Sequence, residues 1–286
     1  MKIKELLGRE KPVLSFEVFP PKKEAAYESV AQAVREIAGL KPSFMSVTYG
    51  AGGGTSRYTV KIASEIVKEY KVTPLAHLSC VSSTKEQVRS MAERLEAGGI
   101  ENILALRGDI PADGSVKTDY RYASELICDL KKLGDFCIGG ACYPEMHPDS
   151  KSKEEDLHYL KEKVDAGCDF LTTQMFFDNN IFYNFLYRAR ERGITVPIVA
   201  GIMPMTNAKQ VKRTLALSGT YLPTRFKMLL DKFGENPAAM KQAGIAYATE
   251  QIIDLVANDV RAIHVYTMNR PDVAAQIKNS LSEIIV

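Results

Sequence analysis

The sequence predicts an α/β fold, a single (β/α)8 barrel of the TIM type spanning residues 1–286, with extra helices between the seventh and eighth strands. Three observations carry this. Short apolar segments alternate with longer amphipathic ones along the whole chain. Eight such strand segments occur, and eight βα units in about 250 residues is the size of a closed barrel. No linker-like or low-complexity stretch divides the chain. A doubly wound open sheet is the alternative, but its GxGxxG fingerprint after the first strand is missing.

In chain order, the strand segments are VLSFEVF (13–19), FMSVTYG (44–50), TPLAHLSC (73–80), NILALRGD (102–109), CIGGACYP (137–144), FLTTQMF (170–176), VPIVAGIMP (196–204) and AIHVYTM (262–268). Between them lie stretches with helical spacing, such as KEQVRSMAERLEAGG after the third and EEDLHYLKEKVDAGC after the fifth. Ser83 with Glu86 and Ser152 with Glu155 have the spacing of helix-opening capping boxes. Gly98, Gly134, Gly167 and Gly193 stand where the following helices should stop. The segment 205–261 is too long for one helix and is expected to break near Pro223 and Pro237.

Composition narrows the class of partner. Thirty-seven basic and 35 acidic residues leave a formal charge of +2 with no block of one sign, so neither nucleic acid nor a membrane surface is expected. A small molecule is. The opening MKIKELLGREKP lacks the apolar core of a signal peptide, and no apolar run approaches the roughly 18 residues of a spanning helix. Five cysteines without CxxC spacing fit a reduced, cytoplasmic protein. Cys137 and Cys142 differ in strand parity, so both read as small core residues.

Strand parity carries the functional signal. In a barrel, side chains alternate between the interior and the helix layer. Ser15 with Glu17, Ser46 with Thr48, His77 with Ser79, Arg107 with Asp109, Thr172 with Gln174, and His264 with Tyr266 each share a parity against mostly apolar neighbours. An interior built only for stability would hold Val, Ile and Leu. Polar groups near the C-terminal ends of strand after strand instead describe a wet, functional mouth. Glu17 stands out, because burying a carboxylate costs several kcal/mol or raises its pKa, and a raised pKa suits a general acid near neutrality. Pro20 and Pro21 would turn the chain away just beyond it.

Other features are weaker. Gly52, Gly53 and Gly54 could let backbone approach a flat ligand, although a flexible turn explains them as well. In YPEMHPDS, Tyr143, Glu145 and His147 sit in a proline-bounded loop, but no further ligand spacing supports a metal there and none is expected.

The tracts SFEVFPP, SVTYGAGG, HLSC, ALRGD, YPEMHP, KVDAGCDFLTTQMFFD, GIMP and HVYTMNR, in this order, resemble the methylenetetrahydrofolate reductase family across essentially the whole chain. The resemblance implies a flavin-binding barrel that reduces 5,10-methylenetetrahydrofolate to 5-methyltetrahydrofolate by ping-pong hydride transfer. The general acid falls on Glu17, and an aspartate beside the flavin falls on Asp109. Flavin contacts fall on Thr48, Tyr49, Ala51, His77, Arg107, Gly108, Tyr143, His147, Asp156 and Lys163. Lys163 would meet the phosphates and Asp156 the ribose or adenosine end, which favours FAD over FMN. Gln174 falls on a position touching folate or nicotinamide, and Gln210 and Arg270 on folate contacts. NADH, NADPH or a redox partner subunit are all open as electron donors, and a homo-oligomer is expected. Where bacterial relatives carry an apolar or aromatic side chain on the seventh helix, this chain has Thr214 followed by Leu215. At this length no regulatory domain of the kind appended in eukaryotic relatives is expected. Two other readings stand beside this one: another barrel flavoprotein, such as an amino-acid-oxidising enzyme, or a non-catalytic subunit of an electron-transfer assembly.

Overall fold

The computed structural model describes residues 1–50, 56–110, 116, 119–285, and only the backbone of residues 56, 212, 213, 216 and 217. Eight parallel strands close a barrel in sequence order: β1 Val13–Val18, β2 Phe44–Val47, β3 Thr73–Ser79, β4 Asn102–Leu106, β5 Cys137–Cys142, β6 Phe170–Thr173, β7 Ile198–Ile202 and β8 Ala262–Tyr266. All eight expected segments form strands. β1 closes the ring, with Ser15 beside Phe44 on one flank and beside His264 on the other. The open-sheet alternative is thereby excluded.

Helices follow the strands: α1 Ile3–Leu7, α2 Tyr27–Gly39, α3 Ser56–Lys68, α4 Lys85–Ala97, α5 Ala123–Leu133, α6 Lys153–Asp165, α7 Asn179–Glu191, α8 Ala208–Ser218, α9 Thr224–Phe233, α10 Pro237–Ala257 and α11 Pro271–Ser280. The segment between β7 and β8 breaks as its prolines require. Pro223 is the N-cap of α9 and Pro237 opens α10, where a missing N–H costs nothing. Gly98 and Gly134 cap α4 and α5, while Gly167 and Gly193 lie just past α6 and α7 with φ of 112° and 73°. Ser152 caps α6 by accepting from Glu155 N. The cap of α4 is one residue later than expected. Thr84 and Gln87 form the reciprocal box, because the Ser83 hydroxyl instead donates to Ser79 O at 3.1 Å.

The interior has two storeys. At the N-terminal end Val13, Phe44, Leu75, Leu104, Cys137, Phe170 and Val199 fill the barrel, and α1 closes it from below with Ile3 and Leu6. Phe44 and Phe170 are fully buried, each stabilising the fold by about 1.5–3 kcal/mol. Asn102 anchors the plug: its Oδ1 accepts from Ile3 N at 2.8 Å and its amide donates to Met1 O and Pro74 O. The opposite parity packs against the helices, with Phe16, Met45, Ile103, Ile138, Leu171 and Val265 in one continuous outer core. Cys137 lies in the interior layer and Cys142 in the outer one, as their parity requires.

Candidate active site

Above the apolar storey the interior turns polar. Ser15, Ser46, His77, Ser79, Thr172 and His264 are all buried, and Glu17 is nearly so, at 16% side-chain exposure. Ser15 with Glu17, His77 with Ser79 and His264 with Tyr266 face inward as expected, and so do Ser46 and Thr172, whose partners Thr48 and Gln174 lie just past the ends of β2 and β6. Arg107 and Asp109 do not. On β4 the inward residues are Leu104 and Leu106, and the strand ends at Leu106, so Arg107–Asp109 lie in the loop beyond it. Gly108 holds that loop against β3 with φ of 84°, and a Cβ there would come within 2.8 Å of Ser79 Cβ. Arg107 leans across the rim to Asp149 at 2.8 Å, while Asp109 is exposed.

Glu17 points into the cup. Burial raises its pKa to about 8, opposed by a hydrogen-bond contact with Ser46, so the carboxyl is mainly protonated at neutral pH. His77 Nε2 lies 3.7 Å from Glu17 Oε2, and desolvation lowers this imidazole to about 3. The geometry would permit an ion pair, but both groups are neutral, because neither is solvated well enough to hold charge. His264, lowered to about 3 by burial and then by His77, lies between two serines, with Ser15 Oγ at 2.7 Å from Nδ1 and Ser46 Oγ at 3.1 Å from Nε2. Its ring stacks 5.7 Å from Phe44 and meets Tyr266 edge-on at 5.3 Å. Tyr266 donates to Thr173 O at 2.5 Å across the barrel, passing over Gly201, where a Cβ would be 2.6 Å from the phenol oxygen.

The rim on the β5–β6 side gathers another group. Tyr143 and His147 pack edge-to-face at 4.6 Å. His147 Nδ1 accepts from Asp149 N, and Asp156 accepts from Ser150 at 3.1 Å. Burial raises the Asp156 pKa, and burial lowers those of His147 and Lys163. Lys163 donates to Ala141 O at 2.6 Å, so its ammonium reaches the outer wall of β5. Thr48 and Tyr49 are half-buried above β2, with Thr48 N bonded to Val18 O at 3.0 Å. Ala51 and Gly52–Gly54 lie outside the described residues.

Toward β7 and β8, Gln210 and Arg270 line one cleft of about 120 Å³ with Pro204, Thr206, Thr267 and Met268. Arg270 is exposed and paired with Asp272 at 3.0 Å, so its guanidinium is anchored at the cleft's edge. Gln174, past the end of β6, accepts from Met175 N at 3.0 Å. Leu215 packs with Met175, Phe177 and Phe226 beside this region, next to half-buried Thr214. A larger cavity of about 360 Å³, lined by Asp178, Asn179, Arg225, Glu250 and Asp254, contains none of the expected site residues.

Ser46, Thr172 and His264 face inward as their parity predicts, without a functional role that the sequence assigns them. Parity is the signal that brings them into the site. Among the described residues, His77 Nε2, Thr172 Oγ1 and Gln210 Nε2 are buried without a hydrogen-bond partner. Buried polar atoms are almost always paired, so these three have hydrogen-bonding capacity free for a ligand or water. No group of three or more metal-ligating side chains forms among the described residues.

A parallel barrel with neutral acid and imidazole groups at the C-terminal mouth, flanked by arginines, lysine and orphaned polar atoms, is the architecture of a barrel enzyme acting on a polar small molecule. Residues 2–282 match the family model for methylenetetrahydrofolate reductase, and the chain belongs to that family of oxidoreductases. A 5,10-methylenetetrahydrofolate reductase of Pectobacterium carotovorum subsp. carotovorum is 37% identical over 277 residues, covering 97% of this chain and 92% of the relative. Methylenetetrahydrofolate reductase (NADH) 1 of Zea mays is 37% identical over 99% of this chain, which spans 50% of that longer protein. Among solved structures, a Clostridium thermocellum protein that binds two copies of 5-methyl-5,6,7,8-tetrahydrofolic acid superposes with a TM-score of 0.69 over 99% of both chains, at 16% identity. No described helix is long and apolar enough to cross a membrane.

Proposed function

We propose that this chain reduces 5,10-methylenetetrahydrofolate to 5-methyltetrahydrofolate at the barrel mouth, using a bound flavin, FAD in preference to FMN. The single observation that carries the reading is Glu17: an inward-facing carboxyl held protonated near neutral pH by burial, at the end of the first strand of a barrel in this family.

The residues present fit a flavin. His77 Nε2 and Thr172 Oγ1 offer unpaired polar atoms inside the cup, and Arg107, His147, Asp156 and Lys163 supply donors and charge along one rim, as a ligand with a polar ring edge and a phosphorylated tail requires. A flavin bound there would take electrons from NADH, NADPH or a redox partner and deliver hydride to the folate.

The chain's own contribution is protonic and positional. Opening the folate's five-membered ring breaks a bond between the bridging carbon and a nitrogen, and that nitrogen must gain a proton as it leaves. The Glu17 carboxyl supplies it, becoming carboxylate while the bridging carbon becomes an electrophilic iminium. Asp109, exposed in the loop after β4, would stand beside the flavin, and its negative charge there would disfavour a reduced, electron-rich ring and so favour hydride release. Gln174, Gln210 and Arg270 hold the folate, the guanidinium matching carboxylates of its glutamate tail.

Purified protein with a yellow flavin absorbance, bleached anaerobically by a nicotinamide and restored by methylenetetrahydrofolate, supports this reading. Flavin bleaching reversed only by an imino acid would favour the amino-acid-oxidising alternative, and a colourless protein that takes up neither FAD nor FMN would contradict the proposal.

A further inference from the structure

Glu17 sits where a strand is weakest, one residue from its end. Its ladder partners are Ser46 on β2 and Tyr266 on β8, and β8 ends there. One residue on, Val18 O is still held from the β2 flank by Thr48 N. The chain then runs through Phe19 into Pro20 and Pro21, neither of which has an N–H to pair. Phe19 therefore carries the last main-chain N–H before the two prolines.

Side chains from the β8 exit take over where the ladder stops. Thr267, buried, donates its hydroxyl to Glu17 O at 2.7 Å. Asn269 closes a ring of two hydrogen bonds on Phe19: its Oδ1 accepts from Phe19 N and its Nδ2 donates to Phe19 O, both at 2.9 Å. A main-chain N–H only donates and a carbonyl only accepts, so the orientation of this amide is fixed. The turn that brings the two side chains back over β1 has left-handed backbone at Met268 and Asn269, with φ of 54° and 53°. Asparagine tolerates that conformation and methionine rarely adopts it, so the surrounding bonds hold the turn in place.

We propose that Thr267 and Asn269 are positioning residues: their side chains extend the β1–β8 pairing past the end of the strands and so keep the Glu17 carboxyl inside the barrel. They reach the acid through its own main chain, since Glu17 O is bonded directly and Phe19, two residues on, is bonded at both its polar groups. Without them the hydrogen bonding at the β1 exit falls to the β2 flank, and the carboxyl can swing toward the mouth and water. The same turn continues into Arg270, and Thr267, Met268 and Arg270 line one cleft with Gln210. A ligand seated in that cleft would bear on the segment that fixes the acid.

The titratable groups around Glu17 are His77 from β3, at 3.7 Å, and Tyr266 from β8 with His264 beside it. None of them is altered by removing the clamp's side chains. The catalytic meaning of the clamp rests on reading Glu17 as the proton donor, but its hydrogen bonds do not.

Infrared spectroscopy of the full chain tests this through the carbonyl stretch of the protonated carboxyl, assigned by its loss in Glu17→Gln and followed against pH. Asn269→Gly deletes the amide while leaving the left-handed turn accessible, and Thr267→Val deletes the hydroxyl at nearly constant size. In each the carboxyl is expected to gain water and its titration midpoint to fall by about one pH unit or more. Thr267→Ser, which keeps the hydroxyl, is expected to titrate as the wild type does, and a midpoint as low as that of Thr267→Val would contradict the hydroxyl's role. Asn269→Gly should also slow folate reduction by about 10–100-fold while flavin reduction keeps its rate. An unchanged or higher midpoint in one variant removes that residue from the clamp; in both it overturns the proposal, even where thermal stability falls, because the two side chains would then be structural only. If the Gly variant does not fold, the Thr267 pair decides the matter. A lowered midpoint in an enzyme that reduces folate without Glu17 removes the acid role and leaves the clamp, whereas an unmoved midpoint in an enzyme that needs Glu17 removes the clamp alone.

Discussion

Glu17 Oε2 and His77 Nε2 stand 3.7 Å apart inside the barrel, an acid and a base at ion-pair distance, and burial favours the neutral form of both near physiological pH. Burial separates their protonation from that of an ordinary pair. The acid keeps its proton up to about pH 8 and the base refuses one down to about pH 3.

The first consequence is a stability that depends on pH in the opposite sense to a salt bridge. Glu17 has a folded pKa of about 8 against an ordinary 4.5, so its contribution is complete below 4.5 and lost as pH rises through 8. Glu17→Gln, which mimics the neutral acid, is expected to gain stability relative to the wild type across that window, by on the order of a few kcal/mol at the upper end. Urea denaturation of both proteins over this range measures it. A wild type that stays ahead of the variant as pH rises would show a charged pair instead.

The acid limb has the reverse sign. His77 and His264 are lowered from 6.5 to about 3, so the stability tied to their neutral forms is present above 6.5 and lost as pH falls through 3. His77→Asn cannot take up a proton and is expected to flatten the loss of stability between pH 6.5 and 3. An equally steep acid limb in the variant would mean that His77 is already charged in the folded protein.

Asp109 is expected to act through its charge on the flavin. Asp109→Asn should raise the midpoint potential and slow hydride transfer to folate, while reduction of the flavin by its donor is as fast or faster. Spectroelectrochemical titration checks the potential, and an unchanged value would dissociate Asp109 from the flavin.

Arg270 lies at the edge of the cleft it shares with Gln210 and is held by a half-exposed Asp272. Arg270→Ala is expected to raise KM for the folate about tenfold, with kcat within about twofold, as loss of one charge-assisted contact in binding implies. Stability should hardly change, since exposed ion pairs contribute little. A fall in kcat with KM intact would place Arg270 in the chemistry instead.

What was legible in the sequence followed local rules. The strands declared themselves as short apolar runs, and Pro223 and Pro237 break the long β7–β8 connection because proline cannot continue a helix. Parity placed Glu17, His77 and His264 inward without any tertiary information. It failed for Arg107 and Asp109, because a strand's end cannot be read from its pattern. The pairing of β4 stops at Leu106 and Gly108 bends the loop onto β3. Two further features needed the closed ring. The short helix α1 is an unremarkable stretch of Ile, Lys and Leu until the barrel floor receives Ile3 and Leu6. Ser15, Ser46 and His264 come from strands up to 249 residues apart, and only the closure of β1 on β8 makes them neighbours.

The central claim is that Glu17 supplies a proton to the folate and nothing to flavin reduction. Stopped-flow measurement of the two half-reactions in Glu17→Gln tests it most directly. The account predicts a flavin that binds and is reduced at near the wild-type rate, with folate reduction slowed by about 10²–10⁴-fold. Equal slowing of both half-reactions, or folate reduction that survives intact, would contradict it.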